Sequence, residues 1–452
     1  MIGVASGAVL VPLNSTMLAV ALPSIMDEFG IDAATVTSLV TLYLGAVTIA
    51  LLASGSLGDR YGQRRLFLIG VVAFALSSIL AATAGSFSLL AVARILQAVS
   101  GALVSTTSIA LVRSIAPPDR RGAAFGLFDM LVSTSAAIGP FIGGLLVGAF
   151  GWRALFVIAV PVALFAAVAV GLVVRSVDGR TATDGAGHAP TQGIDLPGLG
   201  LLAAFLIALL VALRGVGEAG IGLLAAIAVV PLLVLFIRYE LRAEHPAVDP
   251  RLFARRSFAA AVLGVLGATV VLHASFILVP LLVERLFAGT AETSGLVLLG
   301  ISGLGAIAAP FGGRLSDRHG RRWPVVAGSL VLTIGLIGLW LLAARSSPAI
   351  VGILLGVVGF GLGFSGSPRQ AAAMDSIPHD RVGMAAGTYY TGRYLGGVLG
   401  ASLAGAVLGA TVTGAGISLG FGLLALVGLA IVAVSLGLRH GAHRQAAAPS
   451  AG

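Results

Sequence analysis

The chain contains no lysine and no cysteine, and only 10% of its 452 residues are charged. Each scarcity excludes something. Without lysine there is no G-x-x-x-x-G-K-[ST] loop to cradle phosphates, so the chain does not hydrolyse ATP by the P-loop route. Without cysteine there is no disulfide and no thiolate metal site. Soluble proteins carry roughly 25% charged residues, whereas 58% of this chain is hydrophobic and its mean hydropathy is +1.06. Water is not its main solvent. The net charge of +9 does not point to nucleic acid, because the arginines are spread through short loops and form no aromatic-interleaved patch.

What is present is a succession of apolar stretches of about 18 or more residues, the length a bilayer demands. The first six lie at 2–24, 33–57, 66–84, 88–112, 122–149 and 154–174. A polar loop at 175–195 follows, then two more stretches at 196–213 and 219–237. A charged linker at 238–256 precedes the last six, at 257–283, 294–313, 323–343, 348–368, 382–409 and 414–438. The expected organisation is therefore an amino-terminal six-helix bundle (1–174), an inserted helix pair (196–237), a carboxy-terminal six-helix bundle (257–438) and a tail (439–452). Ala19-Val20-Ala21 imitates a signal-peptide cleavage site. The first stretch lacks a basic leader and is longer than a signal core, so it is expected to be retained.

All 27 basic residues are arginine, and their distribution sets the orientation, since cytoplasmic loops accumulate positive charge. With the amino terminus inside, 21 arginines fall in inner loops or the tail and four in outer loops. Arg94 and Arg393 remain inside spans. That asymmetry fits fourteen spans and two cytoplasmic termini.

One loop is repeated. Gly55-Ser-Leu-Gly-Asp59-Arg60-Tyr-Gly62-Gln-Arg64-Arg65 follows span 2, and Gly313-Arg-Leu-Ser-Asp317-Arg318-His-Gly320-Arg-Arg322 follows span 10. Positive-inside bias requires neither the aspartate nor the glycines at fixed positions. The glycines permit a tight turn, and the carboxylate can accept from exposed helix amides. Such a loop suits a latch that makes and breaks as two halves move. Paired halves are a recurrent build for secondary transporters.

At this point the sequence resembles the major facilitator superfamily, and more narrowly its fourteen-span drug:proton antiporter group. The resemblance covers nearly the whole chain. Beside the repeated loop, it rests on Leu13-Asn14-Ser15-Thr16 with Ala21-Leu22-Pro23, and on Arg94-Ile-Leu-Gln97 with Gly101. It rests further on Gly139-Pro140-Phe-Ile-Gly143-Gly144, on Trp152-Arg153, and on Arg393-Tyr-Leu-Gly396-Gly397. The resemblance implies an all-α membrane protein of the major facilitator fold, two six-helix bundles plus two extra helices, rocking about a central cavity. It implies solute leaving the cell against an incoming proton, and it associates the motif at Gly139, Pro140, Gly143 and Gly144 with antiport. In physical terms that motif supplies a bend and a close-packing face.

Polar groups inside spans cost about 2.5–3.5 kcal/mol on insertion scales, which makes each one a functional candidate. Where the family usually carries an aspartate this chain has Asn14, which cannot titrate. The remaining proton-coupling candidates are Asp129, His273 and Arg94. Taking 1.5 Å per residue, Arg94 lies nearer the level of Asn14 than of Asp129, so Asn14 can hydrogen-bond Arg94 or substrate, and a direct Arg94–Asp129 pair is not expected. The substrate-cavity candidates are Asn14, Gln97, Tyr389, Tyr390 and Arg393. Arginine beside tyrosines can bind an aromatic or anionic solute, so the cargo need not be cationic. Each of these groups has a structural alternative as a helix-packing or hydrogen-bonding residue.

Two motifs mislead. Gly361-Leu-Gly363-Phe-Ser-Gly366 fits G-x-G-x-x-G but has no strand before it, so it is read as helix packing. His440, His443 and Arg444 have no acidic or sulfur companion, so no metal site is expected. No nucleophile, base and orienting group recur at catalytic spacing, so neither catalytic residues nor a cofactor is expected. The expected protein is a proton-driven exporter of small lipophilic compounds, monomeric, in a bacterial inner membrane, with a small-molecule substrate, protons and the lipid bilayer as its partners. An importer or uncoupled facilitator of the same fold, and a non-transporting sensor or scaffold, remain the alternatives.

Overall fold

The structure is a computed structural model. It describes residues 2–116, 121–173, 195–214, 221–243, 246, 248–377, 382–409 and 412–438. The expected loop at 175–195, apart from Asp195, and the tail at 439–452 lie outside them. All regular structure among the described residues is helical. The first group runs α1 (Ile2–Met17), a 3-10 turn (Leu18–Ala21), α2 (Leu22–Phe29), α3 (Ala33–Tyr61), α4 (Gln63–Ala82), α5 (Phe87–Ile115), α6 (Arg121–Phe150), α7 (Ala154–Val157) and α8 (Ala159–Val173). A pair follows, α9 (Leu196–Arg214) and α10 (Ile221–Glu240). The second group is α11 (Arg256–Leu281), prolonged by a π turn (Leu282–Leu286), then α12 (Ala291–His319), α13 (Arg322–Leu342), α14 (Pro348–Asp375), α15 (Val382–Leu408) and α16 (Gly414–Ser435).

Twelve of the spans these helices form are long and apolar enough to cross a membrane by length and composition. The other two helices are α9, whose described apolar stretch is Pro197–Leu209, and α15, which carries Arg393 and three tyrosines. Helix ends are set by local chemistry. Asp32 accepts from the Thr35 amide at the start of α3, and Ser86 accepts from the Leu89 amide at the start of α5. These side chains satisfy amides that a helix start leaves without partners. Gly62 and Gly320 close α3 and α12 with φ of 90° and 83°, a left-handed region that favours glycine. This is why both copies of the repeated loop carry a glycine there.

Between helices in lipid there is little hydrophobic driving force, so close backbone approach and dispersion hold the groups together. α14 shows how. Gly361 faces the Gly328 carbonyl of α13 and Gly363 faces Gly305 of α12, so α14 is wedged between both neighbours. That is the packing role expected of the G-x-G-x-x-G run. The α9–α10 pair joins the rest through Leu202, Phe205, Leu206 and Phe236, which pack with Ile49 of α3 and Leu395 of α15. The pair is peripheral, and Leu223, Leu224, Ile227 and Val230 on α10 are exposed.

A Cβ at position 363 would overlap the Gly305 backbone, whereas one at 366 would meet nothing within 4 Å. Gly363→Leu is therefore expected to cost about 1–3 kcal/mol through overpacking and to lower the melting temperature of the detergent-purified protein. Gly366→Ala should melt with the wild type, and equal melting of all three proteins would refute this packing account.

Candidate functional site

The deepest polar cluster centres on Arg94, which is only 1% exposed. Arg94 and Gln97 stand three residues apart on α5, so their side chains share a face. The Arg94 guanidinium donates to Asn14 Oδ1 at 2.6 Å and to Gln97 Oε1 at 2.5 Å. Gln97 in turn donates to Ser78 Oγ on α4 at 2.8 Å, and Asn14 Nδ2 reaches the Leu155 carbonyl at 3.5 Å. Above the guanidinium lie the Tyr43 ring at 4.1 Å and the Phe156 ring at 6.0 Å. All of these partners are neutral. The charge is thus carried by dipoles and a ring face, which is how a buried guanidinium is tolerated when no carboxylate pairs with it. Arg94 Nε and the Tyr43 hydroxyl have no hydrogen-bond partner among the described residues, so this knot keeps one free donor and one free hydroxyl.

Tyr43 and Ser78 were absent from the sequence reading, since nothing in a helical sequence tells which face turns toward a neighbour. Arg369 is a correction of a different kind. Hydropathy ends the span at 368 and puts Arg369 in an inner loop, but α14 continues to Asp375 and Arg369 is 1% exposed. It donates to Ser365 Oγ at 3.0 Å and Ser329 Oγ at 3.3 Å, and it lies against Gly264 of α11. Each helix group therefore contains a buried arginine held by neutral groups.

Between the groups lies a cavity of about 20 Å³ lined by Ser15, Thr16, Ala19, Val40, His273, Phe276 and Ile277, enough for one water. His273 Nδ1 is 3.0 Å from the Thr269 carbonyl, which fixes Nδ1 as the protonated nitrogen because a carbonyl only accepts. Tyr389 is buried, Tyr390 is exposed, and their rings meet edge to face at 6.1 Å. Arg393 is also exposed, and its backbone carbonyl accepts from Thr269 Oγ1 at 2.8 Å. The structure therefore brings His273 and Arg393 together through Thr269, and Tyr43 of the Arg94 knot packs in one cluster with Tyr394, the residue after Arg393. Asp129 lies in α6, but its side chain, like those of Asp59 and Arg60, is outside the described residues. The same holds for the surroundings of Gly55.

The glycine motif of α6 joins three helices. Gly139 lies against Thr16, and Gly143 lies against the Met17 backbone. A Cβ at 144 would sit 2.5 Å from the Ala291 carbonyl and 3.2 Å from the Gly295 Cα of α12. Pro140 contributes its carbonyl to the same contact with Gly295. At this end α3 also meets α15, where Gly405 lies against Thr37. Arg285 donates to the Asp27 carboxylate and, at 3.3 Å, to the Pro23 carbonyl. Glu28 takes hydrogen bonds from Trp152 and Arg153, both at 2.7 Å, which pin α2 to the turn between α6 and α7. The two helix groups thus close against each other at the end that carries residues 27–32, 148–153 and 285–292.

At the opposite end the second loop copy is held by Arg321, which sequence reasoning passed over in favour of Arg322. Arg321 reaches Asp317 at 2.7 Å and Asp375 at 3.0 Å. Burial alone would lower its pKa, but the hydrogen bonds to Asp317 and Asp375 outweigh burial and leave it raised. The signal available in sequence was the i,i+4 spacing from Asp317. Such partly exposed pairs are worth about 0.2–1 kcal/mol each, weak enough to break during a motion.

Stacked apolar helices around buried polar knots and a seam closed at one end define a polytopic α-helical membrane transporter fold. The match to the model of the Major Facilitator Superfamily covers residues 4–401, with a second match over 263–451. The chain belongs to that superfamily, whose members here are transporters and not enzymes. It is 32% identical over 413 residues to the tetracenomycin C resistance and export protein of Streptomyces glaucescens, covering 89% of this chain and 74% of that one. It is 31% identical to multidrug resistance protein Stp of Mycobacterium tuberculosis, covering 87% and 72%, and 29% identical to the riboflavin transporter RibZ of Clostridioides difficile, covering 88% and 85%. A crystal structure of the peptide transporter POT superposes with a TM-score of 0.71 at 16% identity, covering 97% of this chain and 95% of that one, which shows a shared fold.

Arg94→Lys would keep the charge but lose the paired contacts to Asn14 and Gln97 and the flat stacking on Tyr43. Hydrogen bonds to charged groups are worth about 1.5–3 kcal/mol, so transport is expected to fall at least about tenfold and the melting temperature to drop. Full activity of the lysine variant in liposomes would show that this geometry is dispensable.

Proposed function

We propose that the chain is a proton-coupled exporter of small lipophilic compounds that works by alternating access. The observation carrying this reading is the closure of the seam at one end through the Gly139–Gly144 motif, with buried polar groups waiting along the interior. In this reading the chain has fourteen spans. They form bundles at 1–174 and 257–438 joined through the inserted pair at 196–237, and both termini are cytoplasmic. The arginine-poor end is outer and closed, and the loops at 55–65 and 313–322 are latches on the inner face. Asp129, His273 and Arg94 are the proton-coupling group, while Asn14, Gln97, Tyr389, Tyr390 and Arg393 line the solute path. The working unit is a monomer in a bacterial inner membrane. Export is supported by the relatives whose names record resistance and export.

The charge inventory narrows the cargo. Buried Arg94 and Arg369, with Arg393 beside Tyr389 and Tyr390, supply cation and ring faces, so planar anionic or neutral compounds fit better than cations. Import or uncoupled facilitation is the second reading, favoured by Asn14, which leaves the first span without a titrating group.

The test is flux of a panel of anionic and neutral fluorescent aromatic compounds through purified protein in liposomes with an imposed pH gradient. Wild type is expected to accelerate when protons run opposite to the compound, and Asp129→Asn to lose most of that acceleration. Flux indifferent to the gradient would establish the facilitator instead.

A further inference from the structure

The sequence reading ended span 9 at 283 and placed Arg285 in an outer loop. In the structure the helix runs on through a π turn, Leu282–Leu286. π turns are rare, and they concentrate at functional positions. This one presents two neighbouring charged residues in different directions. Arg285 points across the seam to Asp27 and the Pro23 carbonyl of α2. Glu284 is half-buried and accepts from Ser294 Oγ at 3.1 Å. Ser294 is fully buried and directly precedes Gly295, the residue whose backbone meets Pro140 and Gly144. One turn of chain therefore makes the ionic contact with α2 and, through Ser294, touches the α12 segment that packs on α6.

We propose that the Glu284 carboxyl is the proton-bearing group that decides whether this end stays closed. When neutral, Glu284 leaves Arg285 entirely to Asp27, while its carboxyl oxygen accepts from Ser294 Oγ. When ionised, it becomes a second anion beside Arg285 and competes with Asp27 for the guanidinium. The link across the seam then weakens, while Ser294 Oγ can donate to either form of the carboxyl and stays in place. The charged groups around it are few. Arg285 shares its turn, Asp27 faces it from α2, and Glu292 on α12 is turned away toward Gly148 and Thr290. α16, which also packs on this turn, has no titratable side chain.

The sign matches export. Protonation at the outer end favours the outer-closed state, so an incoming proton returns the carrier inward. Release of the proton inside frees it to open outward with cargo. This inference rests on the proton-coupled reading and adds to its coupling group a carboxyl at the closed end.

The absence of native cysteine allows a direct test. Phe150 and Leu296 are exposed at this end of α6 and α12, and cysteines there can carry a unique pair of spin labels. In lipid nanodiscs without substrate, the wild-type pair is expected to give one short separation at pH 5 and a growing longer population toward pH 9. Glu284→Gln should keep the short separation throughout, and Glu284→Asp should restore the titration. A wild type that does not respond, or a glutamine variant that titrates like wild type, overturns the inference even if proton-driven flux in liposomes stands. Loss of proton-driven flux in a wild type whose labels do titrate overturns the exporter reading instead.

Discussion

Everything else in this molecule depends on how closely two helix backbones can approach at one end of the seam. Gly144 of α6 and Gly295 of α12 lie so near that neither position has room for a Cβ. In lipid, where apolar side chains gain nothing by leaving one apolar neighbour for another, contact of this kind is what holds helices together. It is also short-ranged and local. A few glycines make a strong contact at one level of the seam without bonding the helices along their whole length, so the groups can part there while each remains intact. The ion pair between Arg285 and Asp27 adds direction to the contact, and the small cavity beside His273 lies further along the same seam.

Buried charge is the second constraint. Arg94 and Arg369 are each enclosed by hydroxyls, amides and rings. A guanidinium in such a setting is costly unless its donors are met, and each retains an Nε without a partner among the described residues. Under the proposed reading, these two buried guanidinium groups favour an anionic or neutral cargo over a cation.

Much of the fold was legible in the sequence because the bilayer imposes a length and a charge asymmetry that single sequences display. Helix ends were not. Hydropathy falls where a helix enters the headgroup layer, yet its backbone bonding continues, so α14 reaches Asp375 and span 9 reaches Leu286 beyond their apolar runs. That misplacement hid Arg369 and Glu284, the two groups that most change the picture of the interior. Depth along a helix did carry information, since Asn14 and Arg94 were matched by level and do meet. Rotation did not. Tyr43 and Ser78 reach the Arg94 knot through a facing that no residue pattern on one helix records.

The claim at the centre of this account is that the closed end must open in every cycle. A Cβ at position 148 would sit 3.1 Å from Glu292 Cγ, which is the spacing a disulfide sulfur requires. Gly148→Cys combined with Glu292→Cys therefore offers a reversible bolt across the seam in a chain with no other thiol. Oxidised protein in liposomes should show no transport, and reduction should restore it. Undiminished transport by the bolted protein would contradict the account.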